Sequence, residues 1–128
     1  MVKILSMFVV IAALSFQLFS QEKQKARLLD EFGKLPRKDI VKRIEKLRST
    51  LHENAGGPQY ADVFILLWAT TQSELKERRD AIVSTLYDNC RDCMGDTRIT
   101  FVDRKLGKET KTQIWLVPPG GEPPSLDQ

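Results

Sequence analysis

The sequence predicts an α+β fold, a two-layer sandwich with two helices packed on one face of a small mixed sheet, in the order β-α-β-α-β-β. Three observations predict it. Apolar residues recur at helical spacing in two separate stretches, each next to a segment of strand length. The run Ala61–Ala69 (ADVFILLWA) is continuous, β-branched and aromatic, as a strand covered on both faces requires. Two strand-length segments then follow with no helix between them, which implies a final hairpin.

Each element has its own signal. Leu28–Gly33 (LLDEFG) is a short apolar patch ended by glycine and reads as an edge strand. Pro36 suits a helix start, since its missing N–H has no partner in a first turn. Ile40, Ile44, Leu47 and Leu51 then fall at spacings of 4, 3 and 4, one face of a helix that Asn54–Pro58 (NAGGP) stops. Ala61–Ala69 is the central strand. Thr71 and Glu74 have the spacing of a capping box, opening a helix to about Asp88 with Leu75, Ile82 and Leu86 on one face. Asp88–Asp96 reads as a loop. Thr97–Asp103 alternates, with Ile99 and Phe101 on one side, and Lys111–Val117 (KTQIWLV) is the last strand, reached by a turn at Leu106-Gly107-Lys108. Residues 118–124 (PPGGEPP) carry four of the six prolines and must leave the sheet. The 119–128 tail is therefore expected to be extended and disordered.

The first twenty residues stand apart. They hold 15 apolar residues and one charge, Lys3: a basic start, an apolar run from Ile4 to Leu14, and a more polar end. That is the pattern of a signal peptide, followed by a loose polar leader over 21–27 and a single domain over 28–118. Cleavage after Ser20, cleavage after Ser15 and retention as an uncleaved anchor all stay open. The run is short for a membrane span. Without residues 1–20, 38 of 108 residues are apolar, about 35%, one third are charged and the formal charge falls from +3 to +2. Such a chain is expected to be periplasmic or secreted, touching a membrane only through an uncleaved signal. Its charge is too small to argue for nucleic acid. One His and two Cys exclude a His- or Cys-rich metal site, and no cofactor is expected.

The chemical candidates are few. Cys90 and Cys93 form a C-x-x-C. At a helix end, with Asp88 and Asp92 nearby, thiolate is disfavoured, so a structural disulfide fits an exported chain better than a redox dithiol. His52 has no serine or cysteine in an oxyanion-type motif beside it, so no enzyme is expected. Lys34–Arg48 carries seven Lys/Arg against Asp39 and Glu45, a solvated helix face with pairs such as Asp39–Arg43, or a contact for anionic polymers. Arg78, Arg79 and Lys111 can make a small anion site, against which stand surface pairs of Arg79 with Glu74, Glu77 or Asp80. Trp68 and Trp115 lie on strands, where core or sheet-face packing is the default over sugar stacking. If both point away from the helices, they mark a partner surface.

Leu75-Lys76-Glu77-Arg78-Arg79-Asp80 is similar to an L-S-x-x-R-A motif at the start of a second helix, and Ile114-Trp115-Leu116-Val117-Pro118 to a closing strand after N-R-R-V-E. With the element order and the signal segment, these resemble the C-terminal domain of outer-membrane protein A and its relatives, which bind peptidoglycan in the periplasm. Leu29–Gly33 and Trp115–Gly120 also resemble small exported bacterial proteins of unknown function. The resemblance implies a non-enzymatic envelope-associated binding module, with Arg79 in the place of the carboxylate-binding arginine and Thr110 and Lys111 at the paired arginines. Arg79 and Lys111 are thus the candidate ligand residues. The family's G-H-T-D is replaced by Trp68-Ala69-Thr70-Thr71-Gln72 without the aspartate, so a zwitterionic ligand's ammonium would go unpaired. That makes the chain a degenerate member, with weak or lost peptidoglycan binding. A protein–protein role through the open sheet face or the Pro-rich tail is the alternative.

Overall fold

The computed structural model describes residues 24–53, 62–88 and 97–126. Its elements are β1 (Arg27–Phe32), α1 (Arg37–Glu53), β2 (Asp62–Trp68), α2 (Gln72–Tyr87), β3 (Arg98–Asp103) and β4 (Lys111–Val117), in the order the sequence predicts. The expected signal segment, the first three residues of the expected leader, the NAGGP stop and both cysteines lie outside the described residues. No helix among the described residues is long and apolar enough to cross a membrane.

The four strands form one mixed sheet in the order β1-β4-β2-β3. β2 pairs with β3 in parallel and with β4 antiparallel, and β1 pairs antiparallel with β4. The expected β3–β4 hairpin therefore does not form. β4 instead crosses past β2 and takes an inner position. Its burial explains why: Thr112, Ile114 and Leu116 are fully buried and Val117 almost so, whereas β3 is only half-buried and tolerates an edge. β1 is the opposite edge, as expected. A bulge between Leu28 and Asp30 lets both Leu29 and Asp30 turn to the helix side.

The pleat sorts the side chains. Val63, Ile65 and Leu67 of β2, Ile114 and Leu116 of β4 and Phe32 of β1 join Ile40, Ile44, Leu47 and Leu51 of α1 and Leu75, Ala81, Ile82 and Leu86 of α2 in one core. The 4-3-4 stripe is thus the buried face of α1. Arg48 donates to the carbonyls of Thr85 (3.1 Å) and Asp88 (3.4 Å), which ties α1 to the C-terminal end of α2, where a cation suits the dipole. Arg43 pairs with Asp30 of β1 at 2.6 Å rather than with Asp39.

Thr71 caps α2, its hydroxyl accepting the Glu74 N–H at 3.2 Å. The capping box is completed differently from its usual reciprocal form. The Glu74 carboxylate accepts from the hydroxyls of Thr70 (3.0 Å) and Thr110, pinning the helix start to the β3–β4 connection. Those bonds, chiefly Thr110's, hold the Glu74 carboxyl below its ordinary 4.5 against the burial that raises it, with Lys34 and Arg78 adding smaller lowering effects. A depressed folded pKa gives stability that is present above the unfolded value and lost as pH falls through the folded one. Glu74→Gln is therefore expected to flatten the stability profile below pH 4.5 and leave its slope at neutral pH unchanged. Urea midpoints measured from neutral to acid pH check this, and an acid limb as steep as the wild type's would contradict it.

The tail also departs from expectation. Residues 119–126 return to the domain. Gly121 N–H bonds to the Pro118 carbonyl at 2.8 Å, with Pro119 and Gly120 (φ 71°) at the turn centre, the arrangement of a type II turn. Glu122 N–H then bonds to the Gln24 carbonyl at 2.9 Å, and Lys25 and Glu122 form a parallel bridge. A side chain at Gly121 would lie 2.8 Å from the Gln24 carbonyl, so only glycine lets the two segments close.

Candidate functional site

Arg79 and Lys111 fall on opposite faces of the sheet. On β3, Ile99, Phe101 and Asp103 pair with Val63, Ile65 and Leu67, so Asp103 lies on the helix side. Arg79 of α2 donates to the Asp103 carboxylate and stands 5.7 Å from the Phe101 ring centre. Both side chains of that pair are about two-fifths exposed, at 38% and 42%. Lys111 pairs with Trp68, on the face away from the helices, and its Nζ lies 4.4 Å from the Trp68 ring centre. The anion site expected from Arg78, Arg79 and Lys111 is therefore not assembled. Nor does Arg79 pair with Glu74, Glu77 or Asp80. Asp103 becomes its partner because the parallel β2–β3 crossover brings the end of β3 beneath the first turns of α2.

Arg78 has a different position. It is 5% exposed and donates to the Thr112 hydroxyl and the Gly33 carbonyl, both at 2.8 Å, with its guanidinium 5.5 Å from the Phe32 ring centre. It clamps the ends of β1 and β4. The sequence contains a signal for this. Arg78 is three residues after Leu75 and four before Ile82, which puts it on the buried stripe of α2. His52 falls in the last turn of α1.

The face away from the helices carries the distinctive grouping. Trp115 pairs with Phe64 and with Leu28, and Trp68 with Lys111, so the chain's only two tryptophans share this face. Trp115 Nε1 donates to Gln113 Oε1 at 3.0 Å, and Gln113 Nε2 donates to Glu31 Oε2 at 2.6 Å, a chain of hydrogen bonds running across β4 to β1. Trp68 is flanked by two cations, Lys111 and Arg104, the latter 5.9 Å from its ring centre. Leu66, between Phe64 and Trp68, is 2% exposed although it lies outside the helix-side core. Arg104 donates to the Leu126 carbonyl, and its Nε is buried with no hydrogen-bond partner among the described residues. On the helix side, a cleft of about 280 Å³ lies between β1 and α1, with Arg43 and Lys46 among its lining residues. Asp30 already neutralises Arg43 there.

Fold and site together define a class: a two-layer α+β module with one face closed by helices and one aromatic, cation-bearing face. No protein family, curated protein or solved structure matches the chain.

Proposed function

We propose that the chain is an exported, non-enzymatic binding module of the bacterial cell envelope, periplasmic or secreted, that engages another envelope protein through the open sheet face, with peptidoglycan binding weak or lost. One observation carries this reading. Both tryptophans lie on that face with Lys111 and Arg104 beside Trp68. Aromatic and arginine side chains on a half-desolvated surface are the groups that dominate protein–protein affinity. The peptidoglycan reading has less support. A ligand carboxylate would have to displace Asp103 from Arg79, and Lys111 on the opposite face supplies no second cation.

A photo-crosslinking residue placed at Thr100, exposed on the open face, is expected to give an adduct with an envelope protein in cells, while the same residue at Lys42, exposed on α1, gives none. Adducts from Lys42 alone would defeat the proposal. So would retention of the protein on purified sacculi that is lost in Arg79→Ala, which would return the function to peptidoglycan.

A further inference from the structure

The tail supplies a clue to the partner's chemistry. Its course is fixed at both ends. The Pro118–Gly121 turn and the bond from Glu122 to Gln24 hold one end beside the β1 edge. The bond from Arg104 to the Leu126 carbonyl holds the other just past β3, the opposite edge. Arg104 follows Thr100 and Val102 on the open-face side of the pleat and stands over Trp68, so the tail's far end is on that face. The anchors also lie at opposite ends of the strands, since Gln24 precedes β1 and Arg104 follows the parallel β3, so the tail and the long Arg104 side chain together reach across the face on a diagonal. Between those ends Pro124 is buried, in a segment whose composition would otherwise leave it in solvent.

We infer that Glu122–Leu126 is an occupant of the open face in cis, and that the face takes an extended, proline-containing peptide of a partner protein in its place. The inference rests on the open face being the binding surface and adds what binds there. Pro123 and Pro124 lack N–H groups and cannot extend the sheet as a further strand, so recognition comes from the side of the chain. Proline-rich segments are already extended, and they dock on aromatic rings with little loss of entropy. Phe64, Trp68 and Trp115 supply the rings. Arg104 supplies a donor to a backbone carbonyl, and its unpartnered Nε leaves a second donor for a longer or more acidic peptide. Tethering through a four-residue turn gives the tail a millimolar-range effective concentration, so it masks the face against weak competitors.

The test uses the full chain. Two variants free the tail without touching a strand or helix. Gly121→Val blocks closure against Gln24, and Pro124→Ser removes the buried proline. The chain's two tryptophans both report on the open face alone. Both variants are expected to show red-shifted emission and stronger acrylamide quenching. A synthetic peptide of residues 121–126 is expected to reverse the shift and to bind the variants at least about tenfold more tightly than the wild type, which keeps its own tail in place. The same peptide with both prolines replaced by serine is expected not to act. Unchanged emission in both variants overturns the inference, as does a shift that the peptide fails to reverse. Emission that depends on protein concentration would show the tail seated on a second copy and would also overturn the assignment in cis. These outcomes leave the Thr100 crosslinks unaffected, so failure of the tail inference and failure of the face reading are told apart.

Discussion

Arg78→Ala is expected to lower folding stability by about 3–4 kcal/mol, read as a fall in the urea midpoint at unchanged slope. The residue makes two charge-assisted hydrogen bonds from a nearly buried guanidinium, to the Thr112 hydroxyl and the Gly33 carbonyl. Such bonds contribute roughly 1.5–3 kcal/mol each. Opposing them is the desolvation of the guanidinium. Burial lowers its pKa, and the Glu74 charge raises it only in part. Buried ions replaced by well-fitting apolar groups often cost little for that reason. Alanine does not fit. It leaves a cavity beside Phe32 and leaves the Thr112 hydroxyl, fully buried, without its donor. Two further variants separate these effects. Arg78→Met fills the space and is expected to cost about 1–2 kcal/mol less than alanine. Arg78→Lys keeps the charge but cannot reach two acceptors with one ammonium, so it is expected to fall between them. A double-mutant cycle with Thr112→Val gives the share of that bond. Additive effects would show that Arg78 acts only by filling space.

The elements were legible because their signals are local. A 4-3-4 stripe, a T-x-x-E cap and an apolar run are each contained within one stretch of chain. The strand order was not legible, because it depends on which strand fills the sheet interior. Lys111–Val117 reads as an ordinary last strand, and only the full burial of Thr112, Ile114 and Leu116 shows that it belongs inside. The candidate site failed at the same level. Arg79 and Lys111 came together as nearby cations and through the family resemblance, but a helix position and a strand position carry no common parity that sequence can compare. Once the register is known, Lys111 goes to the face of Trp68 and Arg79 to the face of Asp103. The place of Arg78 on the apolar stripe of α2 was legible, but its clamp was not, because Thr112 and Gly33 lie 34 and 45 positions away. The tail divides in the same way. Pro118–Gly121 announces a turn, while the Gln24 carbonyl that accepts from Glu122 just after it lies 98 positions away in sequence and leaves no trace in the motif.

Leu67→Ala is expected to be the other large loss, about 3–5 kcal/mol, and its neighbour Leu66 makes the comparison informative. The two side chains are equally hidden, at 0% and 2% exposed. By the pleat they point to opposite faces. Leu67 belongs to the core packed between the sheet and both helices, where a deletion leaves a cavity that surrounding elements cannot close. Leu66 lies on the open face, which the tail is inferred to cross. A tail anchored by one turn and a few hydrogen bonds can settle into the space left by alanine, so Leu66→Ala is expected to cost only about 1–2 kcal/mol. The readouts should separate as well. Leu66→Ala is expected to move tryptophan emission, since Trp68 and Phe64 flank it on the same face, and Leu67→Ala to leave the emission of the folded protein unchanged. Equal stability losses with no emission change in either would mean that Leu66 is covered as firmly as the core. The aromatic face would then be a second sealed layer, unavailable to any partner.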